Sequence, residues 1–483
     1  MPEPRKKFEI IELEIADLAF GGRGIARQDN YVWFVDGGIP GQKVRARTYR
    51  IAKQYGEARA VETLSPSPDQ VDPVCPHFGV CGGCQLQHLR YEAQIAAKTR
   101  QVRDLLQRIG GFPEPDVRPT LPSASVTGYR NKMEFTFSDL AWKPAPPAPD
   151  GDASGASGTE PGWALGLHVP GRFDKVLNIE SCPLQSDRAN AVLKSVHSLV
   201  AASGLPGYGA RSHRGVWRFL VLREAKATGD LMVHCITSGQ NFQESRAVVD
   251  RMAADLVRRH PFITTFTHSV TDRLSQVAAG ESERVLHGDG RIREKLGDRV
   301  FEISPGSFFQ THTAQAVRLF DTVAGLAGWK GNERVYDLYC GTGAIGICLS
   351  DKVGEVIGIE SVEPAVRNAV RNAELNGLMN ISFVLGDLKD ALRDKGFRER
   401  FGPPDSAVVD PPRAGMHPDA LEDLIRLAPA SIVYVSCNPP ILARDAKTLC
   451  DRGYVLGPVQ PVDLFPHTGH VEVVAVFNRV HSS

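Results

Sequence analysis

The segment Asp337-Leu-Tyr-Cys-Gly-Thr-Gly343, a glycine turn set between a strand-like run and a short helical stretch, restricts the fold more than any other part of this chain. From about residue 300 the pattern runs strand, helix, strand, with strand candidates at 335–338, 356–359, 381–385, 407–409, 432–435 and 471–477. Between two of them, 363–376 reads as a helix, with Pro364 near its start and Gly377 past its end. Parallel strands linked by helices predict a doubly wound α/β domain whose ligands sit at the strand C-termini.

At 483 residues the chain is too long for one ordinary domain. Residues 8–63 alternate apolar and polar, with Gly21-Gly22 and Gly37-Gly38 turns, and predict a small β-barrel over 1–64. Ser65-Pro-Ser-Pro68 reads as a linker into a central α+β domain, 65–300, and the catalytic domain is expected over 301–483. Within the central part, Tyr91, Ile95, Val102, Leu105, Leu106 and Ile109 form a helical stripe closed by Gly110-Gly111, a helix expected to pack on the catalytic domain. Residues 128–138 read as a strand with 163–169 as its hairpin partner. The Ala/Pro/Gly/Ser/Asp-rich stretch 143–162 between them is expected to be a disordered insertion. Residues 190–300 alternate strands and helices without a recognisable motif.

Charge is balanced, 56 basic against 56 acidic residues, so a nucleic-acid footprint has to be local. The candidate is 43–59, where Lys43, Arg45, Arg47, Arg50, Lys53 and Arg59 face one acid, Glu57; a solvated strand face is an equal reading. There is no secretory h-region and no apolar run of the ~20 residues a membrane span needs. Nine unevenly spaced cysteines do not make a disulfide framework. A cytoplasmic monomer is expected.

The glycine turn lacks the third glycine and the basic residue of a diphosphate cradle. Glu360 ends the next strand, where a carboxylate accepts both hydroxyls of a ribose, and Asp387, after the third, is placed for an adenine amino group. A nucleoside site without a diphosphate site fits S-adenosylmethionine better than NAD.

Asp410-Pro-Pro-Arg413 has the form of the strand-four loop of nucleic-acid methyltransferases, but amine methylators carry a base-stacking aromatic where Arg413 stands. The next strand ends in Ser431-Ile-Val-Tyr-Val-Ser-Cys437-Asn-Pro-Pro440. Carbon 5 of uracil is too weak a nucleophile to take a methyl group unaided; a thiolate adding to carbon 6 makes it an enolate carbon. A base must then remove the carbon-5 proton so that the thiolate leaves. Candidate bases lie in Asp463-Leu-Phe-Pro-His467-Thr-Gly-His470-Val-Glu472.

These four segments, in this order, resemble the RNA uracil-C5-methyltransferases that make 5-methyluridine in tRNA and rRNA, and the resemblance spans nearly the whole chain. It implies a Rossmann-like S-adenosylmethionine domain, an N-terminal OB-like TRAM barrel that binds RNA, Cys437 as nucleophile and Glu472 as general base. It further implies cofactor contacts at Gln310, Tyr339, Glu360 and Asp410, with Asp410 facing the target base as an alternative. His312 stands where the family commonly has Asn, and Arg130 and Lys132 match a segment near the RNA path. Cys75-x5-Cys81-Gly-Gly-Cys84 with the distant Cys182-Pro183 suits a structural zinc or a [4Fe–4S] cluster. The pattern is similar to the family's cluster-bearing branch, which includes rRNA enzymes, and so implies iron–sulfur and rRNA ahead of tRNA. Two other readings are cytosine-C5 methylation and a catalytically dead RNA-binding metalloprotein.

Overall fold

The computed structural model describes residues 6–143 and 158–480. Strands β1 (Ile10–Leu18), β2 (Gly24–Gln28), β3 (Tyr31–Asp36), β4 (Lys43–Ile51) and β5 (Tyr55–Ser65) close into a barrel in the order β1-β2-β3-β5-β4. Alternation turns Tyr31, Trp33 and Val35 inward, against Leu13, Val44 and Ala58. The basic run on β4 and β5 is largely paired within the barrel: Lys43 and Arg45 with Glu12, Arg50 with Glu57, and Arg59 with Asp36.

Beyond the cysteine loop and helix α1 (Tyr91–Leu105) comes a seven-stranded sheet. Its strands are β6 (Lys132–Lys143), β7 (Gly158–His168), β8 (Val176–Asn178), β9 (Trp217–Glu224), β10 (Leu231–Thr237), β11 (Ile263–Val270) and β12 (Ser282–His287), in the order β12-β11-β10-β9-β6-β7-β8. Helices α2 (Asp187–Ser203) and α3 (Phe242–Arg259) bury Val192, Val196, Val249 and Leu256 against Phe135, Leu220 and Phe266 of this sheet. The strand expected from 128 starts only at Lys132, because the N–H groups of Gly128, Arg130 and Asn131 go instead to Pro183, Leu184 and Thr311 carbonyls. Of the expected insertion 143–162, residues 144–157 lie outside the described residues. Its two ends are paired strand, with Lys143 opposite Gly158 and Trp142 opposite Thr159. Ladder hydrogen bonds use backbone, so they tolerate a composition that builds no core.

The hairpin β13 (Ile292–Leu296) and β14 (Arg299–Ile303) and helix α4 (Thr313–Ala327) pack Ile292, Phe301, Leu319 and Val323 into the core of the last sheet. That sheet comprises β15 (Arg334–Leu338), β16 (Glu355–Glu360), β17 (Ile381–Leu385), β18 (Ser406–Val409), β19 (Ser431–Ser436), β20 (Tyr454–Val462) and β21 (Glu472–Arg479). Their order is β17-β16-β15-β18-β19-β21-β20; the first five are parallel, and β21 runs antiparallel to both its neighbours. Helices α5 (Ala344–Leu349) and α6 (Glu363–Leu375) follow β15 and β16. The order reverses at β15, so ligands are expected between the ends of β15 and β18.

Helix α1 belongs physically to this last unit. Val102 and Leu106 share a core with Tyr336, Tyr434 and Leu442. Lys98, 1% exposed, donates to Oδ1 of Asp463, 0% exposed, at 2.7 Å, and Tyr91 donates to Oδ2 at 2.8 Å. Removing one member of such a pair strands a buried charge, whereas removing both leaves only a packing change. Lys98→Met should therefore lose about 3 kcal/mol or more of unfolding free energy in a denaturant titration. The double change Lys98→Met/Asp463→Asn should recover most of it; equal losses would show that the charge pair contributes nothing specific.

Candidate active site

Every sequence-derived candidate of the catalytic domain except Glu472 and Gln310 lies just past the C-terminal end of a parallel strand or closes one: Tyr339 after β15, Glu360 at the end of β16, Asp387 after β17, Asp410 after β18 and Cys437 after β19. Glu472 reaches the same edge by the opposite route. Because β21 is antiparallel to β19, Ser436 stands opposite Val473, and the next position on one strand, Cys437, continues toward the preceding position on the other, Glu472. Nucleophile and base candidates, 35 positions apart by their numbers, thus meet at one end of one ladder.

The glycine turn is held open for a ligand. Tyr339 has φ 62°, a left-handed conformation that a tyrosine holds only under constraint, and Gly341 and Gly343 have φ 54° and 77°. A Cβ on Gly341 would meet nothing within 4 Å, while one on Gly343 would lie 2.7 Å from the Phe383 ring. The turn therefore closes on the protein at Gly343 and faces open space at Gly341. Glu360 accepts from the N–H of Gly341 at 3.1 Å and of Val362 at 2.8 Å, which fixes its carboxylate beside the turn. Buried Asp337 accepts from Gly346 N–H through Oδ2 at 2.9 Å, and its Oδ1 is buried without a partner among the described residues. Asp387 is more peripheral, exposed and capping a short helix through the Lys389 N–H. These groups fit a cationic nucleoside: several acids and a backbone cradle, with no basic residue in the turn for a phosphate.

Charge separates the reacting end from its surroundings. Burial pushes Glu472 up to about 8, with neighbouring Asp410 adding to the effect and Arg413 opposing it. Asp410, half-buried, is raised to about 7 by desolvation. Asp337 also reaches about 7, through burial and then the charges of Asp410 and Glu360. The Cys437 thiol, half-buried, is pushed up to about 11 by burial, Glu472 and Asp410, again with Arg413 opposing. Asn438 ties the two loops together by donating from Nδ2 to the Arg413 carbonyl at 2.8 Å. The helix Pro439–Asp451 starts immediately after, and its N-terminus favours a thiolate at this place. The His467 backbone is tied to the N-terminal part of the chain, its carbonyl accepting from Gln85 and Leu86 and its N–H donating to Gln94. Its ring lies with Nδ1 3.3 Å from Gln94 Nε2, and with Nε2 buried without a partner among the described residues.

Gln310 sits in a loop tied to the cofactor side. Thr342 donates to the Phe308 carbonyl, Asn368 to Ser307 Oγ, and Asn131 to the Gln310 carbonyl at 2.8 Å. His312 has a local explanation. It caps α4 by accepting from Gln315 N–H, bonds Ser123 Oγ at 2.8 Å, and stacks on Tyr129 with ring centroids 4.7 Å apart. Asn also favours an N-cap, so the histidine performs that task and adds a stacking face.

The four cysteines gather although Cys182 is distant in sequence. Cys182 is buried in the central core, with Cys81 and Cys84 packed against it, and each of these thiols feels the charge of Cys75. All four are free thiols. Among the described residues no group of three or more His, Cys, Asp or Glu side chains converges on a point that would hold a metal ion. A cavity of about 530 Å³ opens beside this loop, lined by Gly82, Gly83, Arg130, Lys132, His168 and Thr311. Lys132 pairs with Glu134, whereas the Arg130 guanidinium has no ion pair or hydrogen bond among the described residues.

Sequence reasoning left Asp337 as a landmark and Arg413 as a negative indicator. The structure makes both part of the charge environment, the latter through its action on Cys437 and Glu472. An arginine in the place of a stacking aromatic was the available signal.

A model of the tRNA (uracil-5-)-methyltransferase family matches residues 277–480, and a TRAM-domain model matches residues 4–61. An uncharacterized RNA methyltransferase of Chlorobaculum tepidum is 43% identical over 476 residues, covering 98% of this chain and 97% of its own length. The chain belongs to the RNA uracil-C5-methyltransferase family. Another uncharacterized RNA methyltransferase, from Halalkalibacterium halodurans, is 35% identical, covering 98% of each chain. The crystal structure of Pyrococcus abyssi tRNA (uracil-54, C5)-methyltransferase in complex with S-adenosyl-L-homocysteine aligns with a TM-score of 0.72 at 28% identity, covering 97% of this chain and 100% of that one. By family the protein is an S-adenosylmethionine-dependent RNA methyltransferase, and its barrel is a TRAM domain. No helix among the described residues is long and apolar enough to cross a membrane.

The raised acids set a pH dependence. Unfolded carboxylic acids ionise near pH 4. Between there and about 7–8 the folded methyltransferase holds protons on Asp337, Asp410 and Glu472 that the unfolded chain has lost. This contribution to stability is present at low pH and is lost as pH rises through the folded values. In thermal unfolding of cofactor-free protein, Glu472→Gln should raise Tm relative to wild type at about pH 8.5, with the gap closing by about pH 5. A gap independent of pH would rule out a protonated, buried Glu472.

Proposed function

We propose that this methyltransferase forms 5-methyluridine in RNA by covalent catalysis, with Cys437 as nucleophile and Glu472 as the base. The observation that carries this reading is the meeting of Cys437, Glu472, Asp410 and Arg413 at the end of the β19–β21 ladder, beside the glycine turn. S-adenosylmethionine supplies, when bound, a methyl group on a positively charged sulfur. Tyr339, Glu360, Gln310 and Asp387 would hold it, and Asp410 would serve either the cofactor or the target base.

In this reading Cys437 Sγ adds to carbon 6 of the uracil, and the displaced π electrons move toward O4. Arg413 is the cation that acts on both reacting side chains and limits the build-up of negative charge. After carbon 5 has gained its methyl group, Glu472 takes the carbon-5 proton. The C–H electrons restore the 5,6 double bond, and the carbon 6–sulfur bond breaks to return the thiolate. A carboxylate of raised pKa is the stronger base for a carbon-bound proton. The target nucleotide has to leave its stack to reach Cys437. The cavity lined by Arg130, with Lys132 paired to Glu134 beside it, offers the neighbouring RNA backbone one cation uncompensated among the described residues.

By their chemistry the four free thiols are a donor set for a [4Fe–4S] cluster, with zinc as the alternative, although their side chains do not converge on one point among the described residues. Cys75, Cys81, Cys84 and Cys182 would hold it, with a structural role in the central domain. The TRAM barrel together with this cysteine set supports 23S rRNA as the substrate. The full-length likeness to a tRNA (uracil-54, C5)-methyltransferase favours tRNA as the second reading.

RNA carrying 5-fluorouridine has no removable proton at carbon 5 and should form a denaturation-resistant adduct with wild type in the presence of cofactor, and none with Cys437→Ala. On ordinary RNA, Glu472→Gln should transfer methyl and then stall as an adduct, slowing turnover by roughly a hundredfold or more. Normal turnover in that variant would hand the proton to another group. Anaerobically purified protein should contain iron and sulfide in equal amounts; stoichiometric zinc without sulfide would replace the cluster with the alternative. Loss of 5-methyluridine from rRNA or from tRNA on gene deletion distinguishes the two substrates.

A further inference from the structure

The loop that leads into Glu472, residues 463–471, is shaped by segments from the N-terminal third of the chain. Lys98 holds Asp463 and also donates to the Phe465 carbonyl, and Tyr129 donates to the Pro466 carbonyl. The His467 carbonyl accepts from the N–H of Gln85 at 3.0 Å and of Leu86 at 2.9 Å. His467 has φ 67°, a conformation that persists only when its surroundings enforce it. Gly469 lies against the tip of the TRAM barrel: Gly21 N–H donates to the Gly469 carbonyl, and a Cβ on Gly469 would come within 2.2 Å of Gly21.

One side chain joins all three parts. Gln85 follows Cys84, and its amide nitrogen donates to the Gly82 carbonyl at 3.0 Å, inside the cysteine loop. Its amide oxygen accepts from Gly469 N–H at 3.3 Å, and its Cβ stands 3.0 Å from where a Cβ on Gly22 would lie. Three residues after Gly469 comes the carboxylate, which is buried and has no hydrogen bond of its own among the described residues. Its position is therefore set by the backbone that carries it.

We propose that Gln85 is a positioning residue for the proton-removing step, coupling the cysteine loop and the TRAM barrel tip to the loop that places Glu472. The inference rests on Glu472 being the base. Two consequences follow: loosening this bond should slow elimination and leave methyl transfer intact, because Cys437 and the glycine turn are held by other contacts. It also gives the cysteine loop a role in the reaction that needs no electron transfer.

The test is single-turnover reaction of the full-length holoenzyme with RNA labelled with tritium at uridine carbon 5 and with cofactor carrying a labelled methyl group. Gln85→Met keeps the volume beside Gly22 and removes both polar contacts. It is expected to transfer methyl at the wild-type rate, release tritium roughly ten- to a hundredfold more slowly, and accumulate methylated RNA bound to protein, with unchanged iron content and Tm. Gln85→Glu keeps the acceptor for Gly469 N–H and should regain part of the tritium release. Equal slowing of both steps, or no slowing of either, overturns the proposal. Should Gln85→Met fold poorly, Gln85→Leu, which also lacks both polar groups, decides: a shifted ratio of the two rates supports the coupling and an unshifted ratio refutes it. Absence of a wild-type adduct with 5-fluorouridine RNA would instead remove the covalent mechanism itself, a separate outcome.

Discussion

The enclosed ion pair between Lys98 and Asp463 is the contact on which the rest of the catalytic unit depends. Neither side chain meets solvent, and the second carboxylate oxygen is taken by Tyr91. Such a pair gains little over a well-packed apolar contact. What it supplies is specificity: a lysine on α1 has one place to go, and that fixes the helix in register against the sheet. The same bond holds the first residue after β20, in the loop that leads to β21 at Glu472. Since β21 pairs with β19, the position of Cys437 relative to Glu472 follows from it.

The acids at the strand ends explain how one cleft serves two chemistries. Desolvation pushes Asp337, Asp410 and Glu472 up, and burial, with the charges of Glu472 and Asp410 adding to it, pushes the Cys437 thiol up as well. In the reaction proposed above, the positively charged sulfur of S-adenosylmethionine would reverse that balance by favouring every anion near it.

Much of this could be read from the residues, because the catalytic elements obey local rules. Five parallel strands end where their apolar runs end, and Pro364 and Gly377 bracket α6 as the asymmetry of helix ends requires. The edge strand β20 was not legible. Its sequence, Tyr454-Val-Leu-Gly-Pro-Val-Gln-Pro-Val462, carries two prolines and a glycine that argue against a strand. At a sheet edge, with a register shift between Leu456 and Val459, those residues are tolerated. The charge environment was half legible: acids at strand ends announce themselves, but Arg413 acquires its role only when two loops are brought together. Gln85 and Lys98 gave no signal, since each sits in an ordinary-looking segment and acts on residues several hundred positions away. The basic run 43–59 lies in the TRAM barrel, and its pairing with neighbouring acids was not visible in the sequence.

The sequence distance spanned by the Lys98–Asp463 bond, 365 positions, bears on how the protein is made. Helix α1 leaves the ribosome well before the loop and strand it anchors. A nascent chain can complete its barrel and close much of its central sheet while α1 still exposes Val102 and Leu106, which need the final strands for cover. Burial of that helix and creation of the reactive cleft therefore wait on the same late segments: a chain that lacks them displays an apolar stripe and an unpaired lysine.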